Sequence, residues 1–236
     1  ILEELQEILE LPRFPQKIES FDISNISGAD IVAGLVVFEN GKQNRAETRR
    51  LKIKTVEGQD DFASMREAVY RTYRRRLEED KPLPDLIFID GGKGQLSAAA
   101  SAMAELDLEA ITLVGLVKPP KHHNLISHLL RRGRESEPIK FDANSQPMRF
   151  VQQIRDETHK TAVEYHRKRR EVRNLTSELT AIPGIGEKRK MQLLRNFGTI
   201  VKIANASHAE LKTIVGDKAA TEIFQYFEEQ RKLAEK

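Results

Sequence analysis

The chain has 236 residues, 39% of them hydrophobic and 32% charged, with a net charge of +3 and no cysteine. That length suits one large domain or a large and a small one, and the lack of cysteine excludes disulfides and thiolate-held zinc. No apolar run approaches the ~20 residues of a membrane helix, and the opening ILEELQEILE is acidic rather than a secretory signal, so a cytoplasmic protein without membrane contact is expected.

Residues 1–11 read as a short helix stopped by Pro12. QKIESFDISN reads as a first strand and DIVAGLVVFENGK as a second, with a turn at Asn40-Gly41, a hairpin signal between apolar runs. NRAETRRLKIKT alternates polar and apolar residues and reads as a third strand, completing an antiparallel meander. In GQDDFASMREAVYRTYRRRLEED the period changes: Phe62, Met65, Ala68, Val69 and Tyr73 recur at helical spacing, and Asp60 or Asp61 can cap the helix. PDLIFID is a fourth strand, apolar enough for burial on both faces in a parallel pair. GQLSAAASAMAEL is an Ala-rich helix and ITLVGLV a fifth strand. Residues 118–147 are broken by Pro119, Pro120, Gly133, Pro138 and Pro147 and are expected to hold loops or short strands. Residues 148–173 form a long helix with an apolar stripe of Phe150, Val151, Ile154, Ala162 and Val163. This element order is that of an RNase H-like fold, although the pattern by itself supports the α/β class and does not select that fold. A linker is expected at 174–178, followed by a small all-α domain over 179–236.

Positive charge gathers in YRTYRRRL (70–77), LLRRGR (129–134) and YHRKRREVR (165–173), which together read as a nucleic-acid footprint. Arg167, Lys168 and Arg169 are the backbone-binding candidates in the third cluster.

Two strands end on or carry an acid: Asp22 in SFDIS and Asp90 in LIFIDGGKG. Mg2+ and Mn2+ take oxygen ligands, and phosphodiester hydrolysis uses acids converging from separate elements. Asp22, Asp61 and Asp90 are therefore candidate metal ligands. If the first and fourth strands are neighbours, Asp22 and Asp90 lie side by side, where like charges are costly without a cation between them. The residues alone leave open a second reading, strand-end acids bonded to turn amides. Gly91-Gly92-Lys93-Gly94 is no Walker motif; it reads as a turn leaving space beside Asp90, with Lys93 near a phosphate. His159 shares a helix face with Arg155, and the residues alone leave it as either packing or functional. His122 and His123 read as loop residues.

LTAIPGIGEKRKMQLLRNFG is the most specific local signal. Helix, Pro183-Gly184-Ile185-Gly186 turn and helix resemble a helix-hairpin-helix, in which glycines let the backbone approach a phosphate and the next helix start offers free N–H groups. Gly184, Gly186, Lys188, Arg189 and Lys190 are the DNA-contact candidates. A second copy, with Gly216 and Lys218, has one glycine fewer and adds Asp217, which points to a weaker grip or a supporting role.

Together LPRFPQKIESFDISNISG, EGQDDFASMREAVYRTYRRR, PDLIFIDGGKGQLSAA, IRDETHKTAVEYHRKRR and LTAIPGIGEKRKMQLL resemble the C-terminal half of the UvrC family, the incision subunits of bacterial nucleotide excision repair. The resemblance implies an RNase H-like endonuclease domain (1–173) and a tandem helix-hairpin-helix domain (179–236). It implies metal-dependent 5′ incision of damaged DNA with Mg2+ or Mn2+, and a place in the SOS response. It carries over Asp22, Asp61, Asp90 and His159 as catalytic residues, and UvrB and the UvrA–UvrB system as partners of the full-length protein. The chain lacks an initiator Met and is expected to be a fragment, without the family's second nuclease domain or its UvrB-binding segment. The text of residues 117–141 and Thr161 depart from the family pattern. The rival expectation is a non-catalytic DNA-binding module that positions a partner nuclease; another is a structure-specific or RNA-directed nuclease on the same fold.

Overall fold

The computed structural model describes the chain except residues 26–30, 57, 120–124, 143 and 235–236, and gives backbone only for 164–178, 181 and 232–234. His122, His123 and the side chains of Arg167, Lys168 and Arg169 therefore lie outside the described residues. The chain divides into two compact units, Ile1–Tyr165 and His166–Lys236.

In the first unit α1 (Leu2–Ile8) precedes β1 (Lys17–Asn25), β2 (Ile31–Glu39), β3 (Lys42–Gln43) and β4 (Arg49–Lys52). Then follow α2 (Asp61–Glu78), β5 (Leu86–Ile89), α3 (Lys93–Glu105), β6 (Thr112–Val117), β7 (His128–Arg131) and the start of α4 (Gln146–Ala181). The sheet order is β3-β2-β1-β5-β6-β7, with β4 also paired to β2. β1–β2 and β2–β4 are antiparallel, the expected meander, and Asn40 and Gly41 both take positive φ at the hairpin. The expected third strand is shorter than its alternating text. Asn44 folds the chain into a turn, its side-chain oxygen accepting from the N–H groups of Ala46 and Glu47.

β1 and β5 are adjacent and parallel, as are β5 and β6. Side chains alternate across the sheet. Phe21, Ile87 and Ile89 meet Met65, Val69 and Tyr73 of α2 and Leu96 and Met103 of α3. Ile18, Leu86 and Phe88 meet Phe150, Val151 and Ile154 of α4 and Leu5 and Leu9 of α1 on the other face. Glu19, buried on the α2 side, accepts from the Tyr73 hydroxyl at 2.8 Å and pairs with Arg76.

Within the broken stretch 118–147, β7 pairs antiparallel with β6, and Leu129 also bridges Ile139. Leu129 and Leu130 are buried, so the two leucines of the LLRRGR cluster belong to the core. Pro147 sits in the first turn of α4, where its missing N–H breaks no helical bond. Residues 174–178, the expected linker, are helical backbone within α4: no Gly or Pro interrupts the helix there.

The second unit contains α5 (Glu187–Phe197), α6 (Ile200–Ala204), α7 (His208–Val215) and α8 (Asp217–Ala234). Its core joins Leu179, Ile182, Ile185, Leu193, Ile203, Leu211, Ile223 and Phe227. No helix of the described residues is long and apolar enough to cross a membrane.

Candidate nuclease site

Asp22 belongs to the face of β1 that looks towards α4, two residues on from Ser20 and four on from Ile18. Asp90 follows the last residue of β5. Its N–H donates to Phe21 O at 2.8 Å, which extends the parallel ladder by one residue and sets Asp90 beside Asp22. The turn after Asp90 is tight. A Cβ on Gly91 would meet the Gln95 side chain, and one on Gly115 of β6 would lie 2.9 Å from Gly91 O.

His159 reaches the acids because α4 comes unusually close to the sheet. Gly34 of β2 is the ladder partner of Asp22, and a Cβ there would lie 2.8 Å from Thr158 O and 2.9 Å from Ala162 N. Glycine thus admits the helix backbone at the turn carrying His159. His159 Nδ1 lies 2.8 Å from Asp22 Oδ2, and the imidazole remains 45% exposed while both acids are buried.

Asp22, Asp90 and His159 each offer a ligand atom, all within 4.8 Å of one another. Asp61 is not in this group. It begins α2, which packs on the opposite face of the sheet, and its side chain is exposed. Asp60, not Asp61, caps that helix, accepting from Phe62 N and Ala63 N. Phe62, expected in the core stripe, is 56% exposed, with its ring against Gly94 at the start of α3. Lys93 is exposed at the first position of α3.

Two cations that the sequence reading did not single out complete the site. Lys118 Nζ, just beyond β6, lies 3.0 Å from Asp90 Oδ1, and Arg155 Nε, one turn before His159, lies 3.4 Å from Oδ2. The helical offset from His159 was the available signal for Arg155; nothing local marked Lys118, which meets Asp90 only through β5–β6 pairing. Neither Asp90 oxygen receives an aligned hydrogen bond. Burial first, and then the neighbouring Asp22, push the Asp90 carboxyl above its usual range, against the pull of Lys118 and Arg155. A buried carboxylate whose oxygens already attract cations, beside a second acid and an imidazole, fits a hard divalent cation.

In the second unit Gly184 takes φ +78° in the hairpin, and Gly186 precedes α5 without any side-chain cap. Lys188 and Arg189 are exposed, and Arg189 donates to Gly184 O at 2.8 Å. Lys190 is a correction to the DNA-contact set. It is 3% exposed, and its ammonium donates to Thr180 Oγ1 and Glu187 Oε1, because its place on α5 turns it inward. At the second hairpin Gly216 takes φ +84° and Lys218 is exposed, while Asp217 at the start of α8 pairs with Lys212 at 2.8 Å.

A mixed sheet that sets two acids against a helical histidine, followed by a helix-hairpin-helix unit, is the architecture of an RNase H-like fold with a helix-hairpin-helix module. The family of the UvrC RNase H endonuclease domain matches residues 6–163, and the SAM-like helix-hairpin-helix tandem matches 176–227. The chain belongs to the UvrC family. It is 46% identical over 223 residues to the UvrABC system protein C of Koribacter versatilis (strain Ellin345), a match covering 94% of this chain and 36% of that protein. It is 45% identical to the same protein of Gemmatimonas aurantiaca, covering 92% and 34%. The chain thus spans about a third of the length of these curated relatives. Among solved structures, human ENDOV aligns with TM-score 0.38 and 14% identity over 68% of this chain and 89% of that one. Endonuclease V of Ciona intestinalis in complex with a 24mer DNA aligns with TM-score 0.33 and 16% identity, over 50% and 58%.

Proposed function

We propose that this chain is the part of a UvrC protein that makes the 5′ incision at damaged DNA, by divalent-metal-dependent phosphodiester hydrolysis. The observation that carries the reading is the Asp22–Asp90–His159 cluster, with ligand atoms within 4.8 Å and two buried Asp90 oxygens that meet the cations Lys118 and Arg155. Residues 1–173 form the nuclease domain and 179–236 the tandem DNA-binding domain, joined through 174–178.

Asp22 and Asp90 would hold Mg2+ or Mn2+, which supplies Lewis-acid polarisation of the scissile phosphate and a more acidic water. The Asp22 carboxylate accepts from His159 Nδ1–H, which fixes the ring and leaves Nε2 as the acceptor for the proton of the attacking water. Asp61, outside this cluster, is proposed to assist from the exposed start of α2. The first hairpin holds duplex backbone through the open N–H groups before α5 and through Lys188 and Arg189. The second hairpin contributes less, because Asp217 places negative charge at the start of α8. In the full-length protein the partners would be UvrB and the UvrA–UvrB damage-recognition system, in the cytoplasm.

Calorimetric titration of Mn2+ into the native chain and into Asp22→Asn, Asp90→Asn and His159→Ala tests the site, alongside nicking of a lesion-bearing duplex. Saturable native binding lost in both acid variants, with nicking abolished in all three folded variants, is the expected result. A native chain that binds no Mn2+ even with DNA present would overturn the metal reading and favour a DNA-binding scaffold.

A further inference from the structure

Asp90 has two cationic neighbours, and they differ in freedom. Arg155 is 2% exposed and also pairs with Asp156 at 3.0 Å, so it is held in the interior. Lys118 is 27% exposed, on a flexible four-carbon arm at the end of β6, the same sheet edge to which β5 delivers Asp90. Its ammonium lies against Oδ1, one of the two oxygens that Asp90 can offer a metal shared with Asp22. Asp22, Asp90 and Asp156 set three formal negative charges against Lys118 and Arg155, so an entering divalent ion meets an acidic cluster with one replaceable cation.

We propose that Lys118 is a resident counter-cation of the nuclease site. It neutralises Asp90 in the metal-free protein, is displaced from Oδ1 when the divalent ion binds, and then reaches the phosphate of the bound strand. The proposal rests on the metal reading above. It gives Lys118 two effects of opposite sign: competition with the metal and attraction for the substrate phosphate. A lysine serving only to hold the fold would lack that combination, because its loss would leave the acids less well placed for both.

The test is Lys118→Met, with Lys118→Gln as a second variant and circular dichroism as the check on folding. Calorimetry without DNA should show Mn2+ binding tightened about tenfold in the variants, because one competing positive charge has gone. Binding of a short duplex in Ca2+, and nicking at saturating Mn2+, should both weaken about tenfold. Folded variants that bind Mn2+ more weakly or equally, or that keep native DNA binding and nicking, would overturn the role of Lys118. Asp22→Asn in the same titration keeps the two readings apart: Mn2+ binding by the native chain that is lost in Asp22→Asn upholds the metal site whatever Lys118 does.

Discussion

Replacing Gly34 with alanine tests whether the seat of α4, rather than its side chains, assembles the site. The new Cβ would lie 2.8 Å from Thr158 O and 2.9 Å from Ala162 N, both backbone atoms. No side chain can swing aside, so helix and strand must part by roughly half an ångström to reach ordinary contact. Overpacking of this kind costs about 1–3 kcal/mol. The movement falls where Asp22 meets His159, since Gly34 is the ladder partner of Asp22. The 2.8 Å contact between Asp22 and His159 would stretch past the ~3.2 Å limit of a good hydrogen bond. Gly34→Ala is therefore expected to lower the unfolding free energy by about 1–3 kcal/mol and the nicking rate by about 10- to 100-fold. Urea denaturation and nicking kinetics at saturating Mn2+ measure the two effects. Gly92→Ala is the stability control, because Gly92 has open space around its Cβ position and a negative φ. Native stability with native nicking in Gly34→Ala would refute the close-packing argument.

Asp90 ties stability to pH. Its folded carboxyl titrates above its unfolded value of 3.8, so the folded chain holds that proton more tightly. The contribution is fully present below pH 3.8 and is lost as pH rises through the higher folded value. Thermal melts in EDTA should show this loss with rising pH in the native chain and not in Asp90→Asn; equal slopes would contradict it. In the second unit, Lys188→Ala with Arg189→Ala should weaken duplex binding and reduce the salt slope by about 1–2, read by fluorescence anisotropy across a salt series. Lys190→Ala should instead lower stability, because it strips Thr180 and Glu187 of a buried donor. An unchanged melt combined with a large binding loss would show that Lys190 faces DNA after all.

Much of this molecule was legible in the chain because its signals are local. The helical period of α2, the Asn40-Gly41 hairpin, the apolar run of β5 and the Pro-Gly-Ile-Gly turn each depend on residues a few positions apart, as do the acid within β1 and the acid just after β5. The convergence of Asp22 and Asp90 was conditional on two strands being neighbours, and only the parallel β1–β5 ladder met that condition. Lys118 became part of the site through β5–β6 pairing, and Gly34 acquired its importance from a helix more than a hundred residues later in the chain. Asp61 stood out equally well in the sequence, yet its helix packs on the other face, outside the cluster of Asp22, Asp90 and His159. Periodicity and turn chemistry follow from short-range sterics and hydrogen bonding. Which side chains share a site follows from sheet order and from the face each helix buries, and those are settled by contacts between distant parts of the chain.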